Sequence, residues 1–177
     1  MENQRKSIRL RGYDYLRSGM YFVTVDLDDR NNIRLGEIEK GIMKLNEIGE
    51  MIDEKIREIP LFYEGILIDE YVIMPNHVHL IIIINNVGAD SHIRPAGKAE
   101  EISGQGRKWD SARTQLSLGE VIQRFKIMTT NQYIARIKSN NWPRFNKRLW
   151  QRDYWERIIR DEGEYNRIVE YIRNNPR

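Results

Sequence analysis

Residues 65–84 read GILIDEYVIMPNHVHLIIII, and this stretch decides the fold. Residues 65–74 and 77–84 are two runs dense in Ile, Val and other β-prone side chains. Pro75-Asn76 breaks them with a tight connection, so they predict two consecutive antiparallel strands. Side chains on a strand alternate between faces, which puts His77 and His79 on one face and Val78 and Leu80 on the other.

Upstream, residues 21–27 carry the β-branched and aromatic run Phe22-Val23-Thr24-Val25 and predict a strand. Residues 33–38 predict a second, shorter one after the turn-rich segment 28–32. Residues 43–59 then predict a helix, because Ile48, Met51, Ile52, Lys55, Ile56 and Ile59 recur at helical spacing, and Pro60 is expected to end it. Downstream, residues 85–116 are poor in large apolar groups and predict a flexible insertion loop, with His92 in it expected to be solvent-exposed. Ser117 is expected to cap a helix that carries Val121, Ile122, Phe125, Ile127, Met128, Tyr133, Ile134 and Ile137. A Trp-rich irregular stretch leads to an extended piece at 154–159. Asp161 caps a last helix over 162–174, stopped by Pro176. The order β, β, α, β, β, α, β, α gives an α+β class, a mixed antiparallel sheet with helices packed on it.

The chain has 177 residues, which suits a single domain over 1–177. It has no cysteine, which excludes disulfides, cysteine-ligated zinc, iron–sulfur clusters and thiol nucleophiles, and fits a reducing cytoplasm. Residues 1–10 are polar and charged, unlike a signal peptide, and the longest apolar run, 80–84, is too short to span a bilayer. A soluble, cytoplasmic protein without membrane attachment is expected. The net charge of +3 hides an asymmetry: −5 over residues 1–103, +9 over 104–160 and −1 over 161–177. A polyanion would be drawn to the basic segment. There Trp142, Phe145, Trp150, Tyr154 and Trp155 interleave with Arg144, Lys147, Arg148, Arg152 and Arg157, a composition suited to unpaired nucleic acid, although a domain of this size also needs large rings in its core.

Two neutral imidazoles a few Å apart can clamp a divalent metal if a third ligand arrives from elsewhere. The final helix is the source to examine. Its core stripe is Tyr165, Ile168, Val169 and Ile172, which leaves Tyr171 about 110° away on the flank with Asn175 one turn later. If that flank faces the histidines, a phenol able to form a covalent intermediate stands beside a metal able to polarise a phosphate.

The string Val72-Ile73-Met74-Pro75-Asn76-His77-Val78-His79-Leu80 resembles the His-hydrophobe-His strand of the single-tyrosine HUH transposases, in particular the REP-associated tyrosine transposases. Further matches are residues 19–24, residues 149–154 and the closing helix from Glu164-Tyr165 to Asn175-Pro176, so the resemblance covers roughly 12–176. It implies a ferredoxin-like or RRM-like sheet carrying the histidines, with a C-terminal catalytic helix. It also implies cleavage of single-stranded DNA beside a hairpin with Mg²⁺ or Mn²⁺, the tyrosine becoming joined to the 5′ phosphate, by a monomer or homodimer. By position Tyr171 takes the nucleophile role and His77 and His79 the metal role. Asn175 stands where related transposases place a longer Gln as third ligand. Tyr154 is the rival nucleophile, and Tyr165 a more distant one. Arg124, Lys126, Arg144, Lys147, Arg148 and Trp142 are the composition-based candidates for DNA contact. Two other functions compete: a non-catalytic nucleic-acid-binding module, and a metal hydrolase using the histidines with Asp69 or Glu70. No Walker-type Gly-rich Lys loop is present to suggest nucleotide hydrolysis.

Overall fold

The computed structural model describes residues 18–85 and 116–176. The charged N-terminal stretch, His92 and nearly all of the expected insertion loop lie outside the described residues. In chain order the elements are β1 (Gly19–Asp26), β2 (Gly36–Glu39), β3 (Ile42–Leu45), α1 (Glu47–Phe62), β4 (Ile66–Ile73), β5 (His77–Ile84), α2 (Leu118–Asn140), β6 (Trp155–Ile159) and α3 (Glu162–Arg173).

β4, β5, β1 and β6 form one sheet in that order, every neighbouring pair antiparallel. With the β2–β3 ribbon set aside, the chain reads βαββαβ with the first and third strands central, which is the ferredoxin-like arrangement. The α+β expectation holds. Pro75 and Asn76 form the connection that the sequence predicts, with Met74 N–H donating to the His77 carbonyl at 2.8 Å.

The strand alternation sorts the core into two. Tyr21, Val23 and Val25 of β1 and Val78, Leu80, Ile82 and Ile84 of β5 pack with Ile52, Ile56 and Ile59 of α1 and Val121, Ile122 and Phe125 of α2. On the opposite face Ile81, Ile83 and Ile159 meet Ile168, Val169 and Ile172 of α3, with Met20, Phe22 and Val72 beside them. α1 and α2 therefore cover one face of the sheet, and α3 covers part of the other.

Two expectations for residues 43–60 need correction. The predicted helix start is the strand β3, whose side chains alternate exposed and half-buried against β2, and α1 begins only at Glu47. Asn46 makes that boundary: its side-chain oxygen accepts from Ile48 and Gly49 N–H at 3.0 Å each. Pro60 does not end α1. It lies inside the helix, three residues from the Tyr63 cap, and Tyr63 N–H still reaches the Ile59 carbonyl at 3.1 Å. The ring removes one bond near the helix end, too late to stop the last turn. Ser117 caps α2 as predicted, exchanging bonds with Glu120 in a capping box. Asp161 caps α3 through Glu164 N–H at 2.8 Å.

Gly49 is fixed by a close approach. A Cβ there would lie 2.0 Å from the Leu35 carbonyl oxygen, which also accepts the Asn46 N–H. Gly49→Ala is expected to destabilise the fold by about 1–3 kcal/mol in urea unfolding, although Ala is the better helix former.

Asp28 ties the end of β1 to the Trp-rich segment. Its carboxylate pairs with Arg30 and, at 3.3 Å, with Arg148 Nε. The Arg30 hydrogen bond holds the Asp28 carboxyl well below the usual range, at about 2. A lowered folded value means that stabilisation is present above the ordinary carboxylate pKa and is lost as pH falls toward 2. Asp28→Asn is therefore expected to flatten the loss of thermal stability between about pH 4 and pH 2.

Candidate active site

β5 begins at His77 and delivers both imidazoles to the α3 face of the sheet, beside Ile81 and Ile83. The His77 and His79 Nε2 atoms converge to 3.1 Å. Each ring has an oxygen partner for its other nitrogen. Asn76 Oδ1 lies 2.8 Å from His77 Nδ1, and Thr24 Oγ1 lies 2.8 Å from His79 Nδ1. Asn76 Oδ1 can only accept, so His77 Nδ1 donates and Nε2 holds the lone pair. Thr24 is a hydroxyl and can serve either tautomer of His79. Burial pushes both imidazoles below their ordinary pKa, His79 to about 4 with His77 adding to the effect. Both rings are thus uncharged at neutral pH, the state in which imidazole ligates a metal.

α3 supplies the third group. Tyr171 is half exposed, off the buried stripe as its position on the helix predicts, and its hydroxyl lies 3.3 Å from His79 Nε2. Phe22 of β1 holds the arrangement together: it stacks on His79 with centroids 5.2 Å apart and meets the Tyr171 ring edge-on at 6.0 Å. α3 is tied toward the edge strand β4, where Tyr165 donates to Asp69 at 2.5 Å and Arg173 pairs with Glu70.

These contacts sort the other sequence candidates. Asp69 and Glu70 are engaged by α3, and among the described residues no third His, Cys, Asp or Glu joins the two histidines. Tyr165 is committed to Asp69, with burial pushing its hydroxyl up to about 12. Tyr154 sits under Lys126, whose Nζ is 5.7 Å from the ring centroid. Asn175 makes no hydrogen bond to either histidine, yet its side-chain nitrogen is buried without a partner.

The composition-based DNA contacts divide as sharply. Trp142 is not an exposed stacking ring: it is buried against Tyr133, and its indole donates to Glu47 at 3.0 Å. Lys126 spends its ammonium on the carbonyls of Gln151, Arg152 and Asp153 at 2.8, 3.2 and 3.1 Å. Burial pulls it down to about 8, against the Asp153 and Asp26 charges. Arg148 pairs with Asp28, and Arg124 lies over the Tyr63 ring at 4.8 Å. Arg144 and Lys147 remain on the exposed surface. Lys126, Lys147, Arg148 and Arg152 line a cavity of about 630 Å³ with Phe145 and Tyr154.

Sequence reasoning missed the β1 side of the site. Phe22, Thr24 and Asp26 share the histidine face, and Asp26 is the in-register partner of His77. Burial raises the Asp26 carboxyl, with His77 opposing. The signal was present as a polar Thr and Asp at alternate positions of an otherwise apolar strand.

No family model matches the chain. An uncharacterized protein of Haemophilus influenzae is 36% identical over 178 residues, covering 98% of this chain and 89% of the relative, and the two belong to one family. A second protein of that organism, named "Putative REP-associated tyrosine transposase", is 24% identical over 92% of this chain and 73% of its own length. Among solved structures, a REP-associated tyrosine transposase bound to a REP hairpin superposes with a TM-score of 0.56 at 20% identity, over 95% of this chain and 72% of that one.

Proposed function

We propose that this chain, which shares its fold with a REP-associated tyrosine transposase and is 24% identical to a putative one, is a transposase of that kind and cuts and rejoins single-stranded DNA through a covalent bond to Tyr171. The observation that carries this reading is the Tyr171 hydroxyl 3.3 Å from an imidazole pair whose Nε2 atoms converge to 3.1 Å.

The donor set suits a divalent cation. His77 presents an Nε2 lone pair toward His79 Nε2, both rings are held neutral, and outer oxygens orient them. His77 and His79 would hold Mg²⁺ or Mn²⁺, with the side-chain oxygen of Asn175 as the third protein ligand. When bound, the cation supplies charge stabilisation at a phosphate oxygen and fixes the phosphate's orientation.

The chain's own groups do the rest. The Tyr171 oxygen attacks phosphorus, the bond from phosphorus to the 3′ oxygen breaks, and the 5′ phosphate becomes an ester of the tyrosine. The phenol gives up one proton and the departing 3′ oxygen takes one up, so the exchange is proton-neutral. One phosphodiester is exchanged for another, so rejoining needs no ATP. Phe22 packs on both His79 and Tyr171 and keeps the hydroxyl over the imidazoles.

The substrate class in this reading is single-stranded DNA beside a hairpin, handled in the cytoplasm by a single domain over 1–177, as a monomer or homodimer. The test uses hairpin oligonucleotides with single-stranded flanks, labelled on the 3′ side of the cleavage site, incubated with Mn²⁺, Mg²⁺ or EDTA. A slow-migrating covalent band on a denaturing gel, present with metal and absent with EDTA, is expected. Salt-sensitive binding without any covalent band would instead support the non-catalytic module.

A further inference from the structure

Of the aromatic residues interleaved with basic ones late in the chain, Trp142 and Trp150 are buried and Trp155 is not. Trp155 opens β6, is 62% exposed, and pairs in register with Thr24, itself in register with His79. The face is settled by its neighbours. Ile159, four residues on, packs with the α3 cluster, and Arg157, two residues on, pairs with Glu164 of α3 at 2.6 Å. His79, Thr24 and Trp155 therefore form one row across three adjacent strands, on the face that Tyr171 overlooks. With strands about 4.8 Å apart, the indole's backbone stands about 10 Å from that of His79. α3 reaches β6 through Glu164 and the Ile159 cluster, while Tyr165 and Arg173 draw it toward β4, and the first residue of β6, Trp155, is left exposed.

We propose that Trp155 is the stacking platform for one unpaired base flanking the phosphate held at His77, His79 and Tyr171. The proposal rests on the single-stranded DNA reading above and adds a positioning residue to it. A phosphate at the imidazoles carries a nucleoside on each side, and the row from His79 through Thr24 to Trp155 lies within reach of one of them. Every base has a π face, so an exposed indole accepts it without reading sequence and without needing a hydrogen bond. The Thr24 hydroxyl between the two is occupied by His79, so the floor beneath that nucleotide offers no competing polar anchor.

The test measures dissociation constants of the full chain for hairpin oligonucleotides whose single-stranded flank carries one abasic site at each position in turn. Trp155→Ala and Trp155→Phe are compared with the parent. On the intact flank, Trp155→Ala is expected to weaken binding by about 5- to 100-fold, the size of one lost base–aromatic stack, and Trp155→Phe by about threefold or less. At one abasic position the parent should fall to the level of Trp155→Ala, which should lose nothing more there. Binding of Trp155→Ala within twofold of the parent on the intact flank overturns the proposal. So does a loss that persists at every abasic position, which would mean a structural effect. A covalent band with an unaffected Trp155→Ala removes the platform and leaves the chemistry. The abasic coincidence without any covalent band keeps the platform and removes the chemistry.

Discussion

Tyr171→Phe is expected to abolish the covalent protein–DNA band, with cleavage reduced by on the order of 10⁴-fold or more, because the substitution removes only the oxygen proposed to attack the phosphate. The ring keeps its edge-on contact with Phe22 at 6.0 Å and with His79 at 5.4 Å, so the helix stays seated. Thermal stability and hairpin binding should therefore match the parent within error. That separation between intact binding and absent chemistry distinguishes a nucleophile from a packing tyrosine. Tyr154→Phe and Tyr165→Phe serve as controls on other α3-proximal or basic-segment tyrosines. Tyr165 is tied to Asp69, and its loss should act through α3 placement alone. If Tyr154→Phe removed the band instead, the nucleophile would sit beside Lys126 and the cavity of the basic segment rather than on α3.

The second large effect concerns the imidazoles. His77→Ala and His79→Ala should each reduce metal-dependent cleavage by at least about 10²-fold, and Mn²⁺ binding by calorimetry should be lost in the double variant. Thr24→Val tests the outer layer. It removes the oxygen 2.8 Å from His79 Nδ1 while keeping the side-chain shape, and should cost about 10–100-fold in metal affinity. His79 is buried and touches Phe22 and Tyr171, so a stability measurement must accompany its variant. His77, at the start of β5, is the cleaner probe. Cleavage that survives loss of both imidazoles would remove the metal role from this pair.

The sheet and the histidine pair were legible because their signals are local. Period-two alternation fixes the face of His77 and His79, and Pro75-Asn76 fixes the turn before them. The flank position of Tyr171 follows from the stripe of Ile168, Val169 and Ile172. Residues 43–45 were misread because the helical stripe that starts at Ile48 was extended back to Met43; Met43 and Leu45, two apart, fit strand alternation, and pairing with β2 establishes it. The sorting of the tryptophans was beyond sequence for the same reason. Trp142 finds Glu47, 95 residues away, and Trp150 finds Thr129 at 2.8 Å, whereas Trp155 is left exposed. Composition marks a ring as available to stack, and only tertiary packing says which rings are spent.

The proposed chemistry depends most directly on which side chain carries the DNA. The measurement is mass spectrometry of the proteolysed covalent complex formed with a hairpin oligonucleotide and Mn²⁺. The predicted result is a single peptide from α3 with a 5′-phosphonucleotide on Tyr171. Modification of Tyr154, Tyr165 or any other residue, or a complex that dissolves under denaturing conditions before a modified peptide is found, would contradict it.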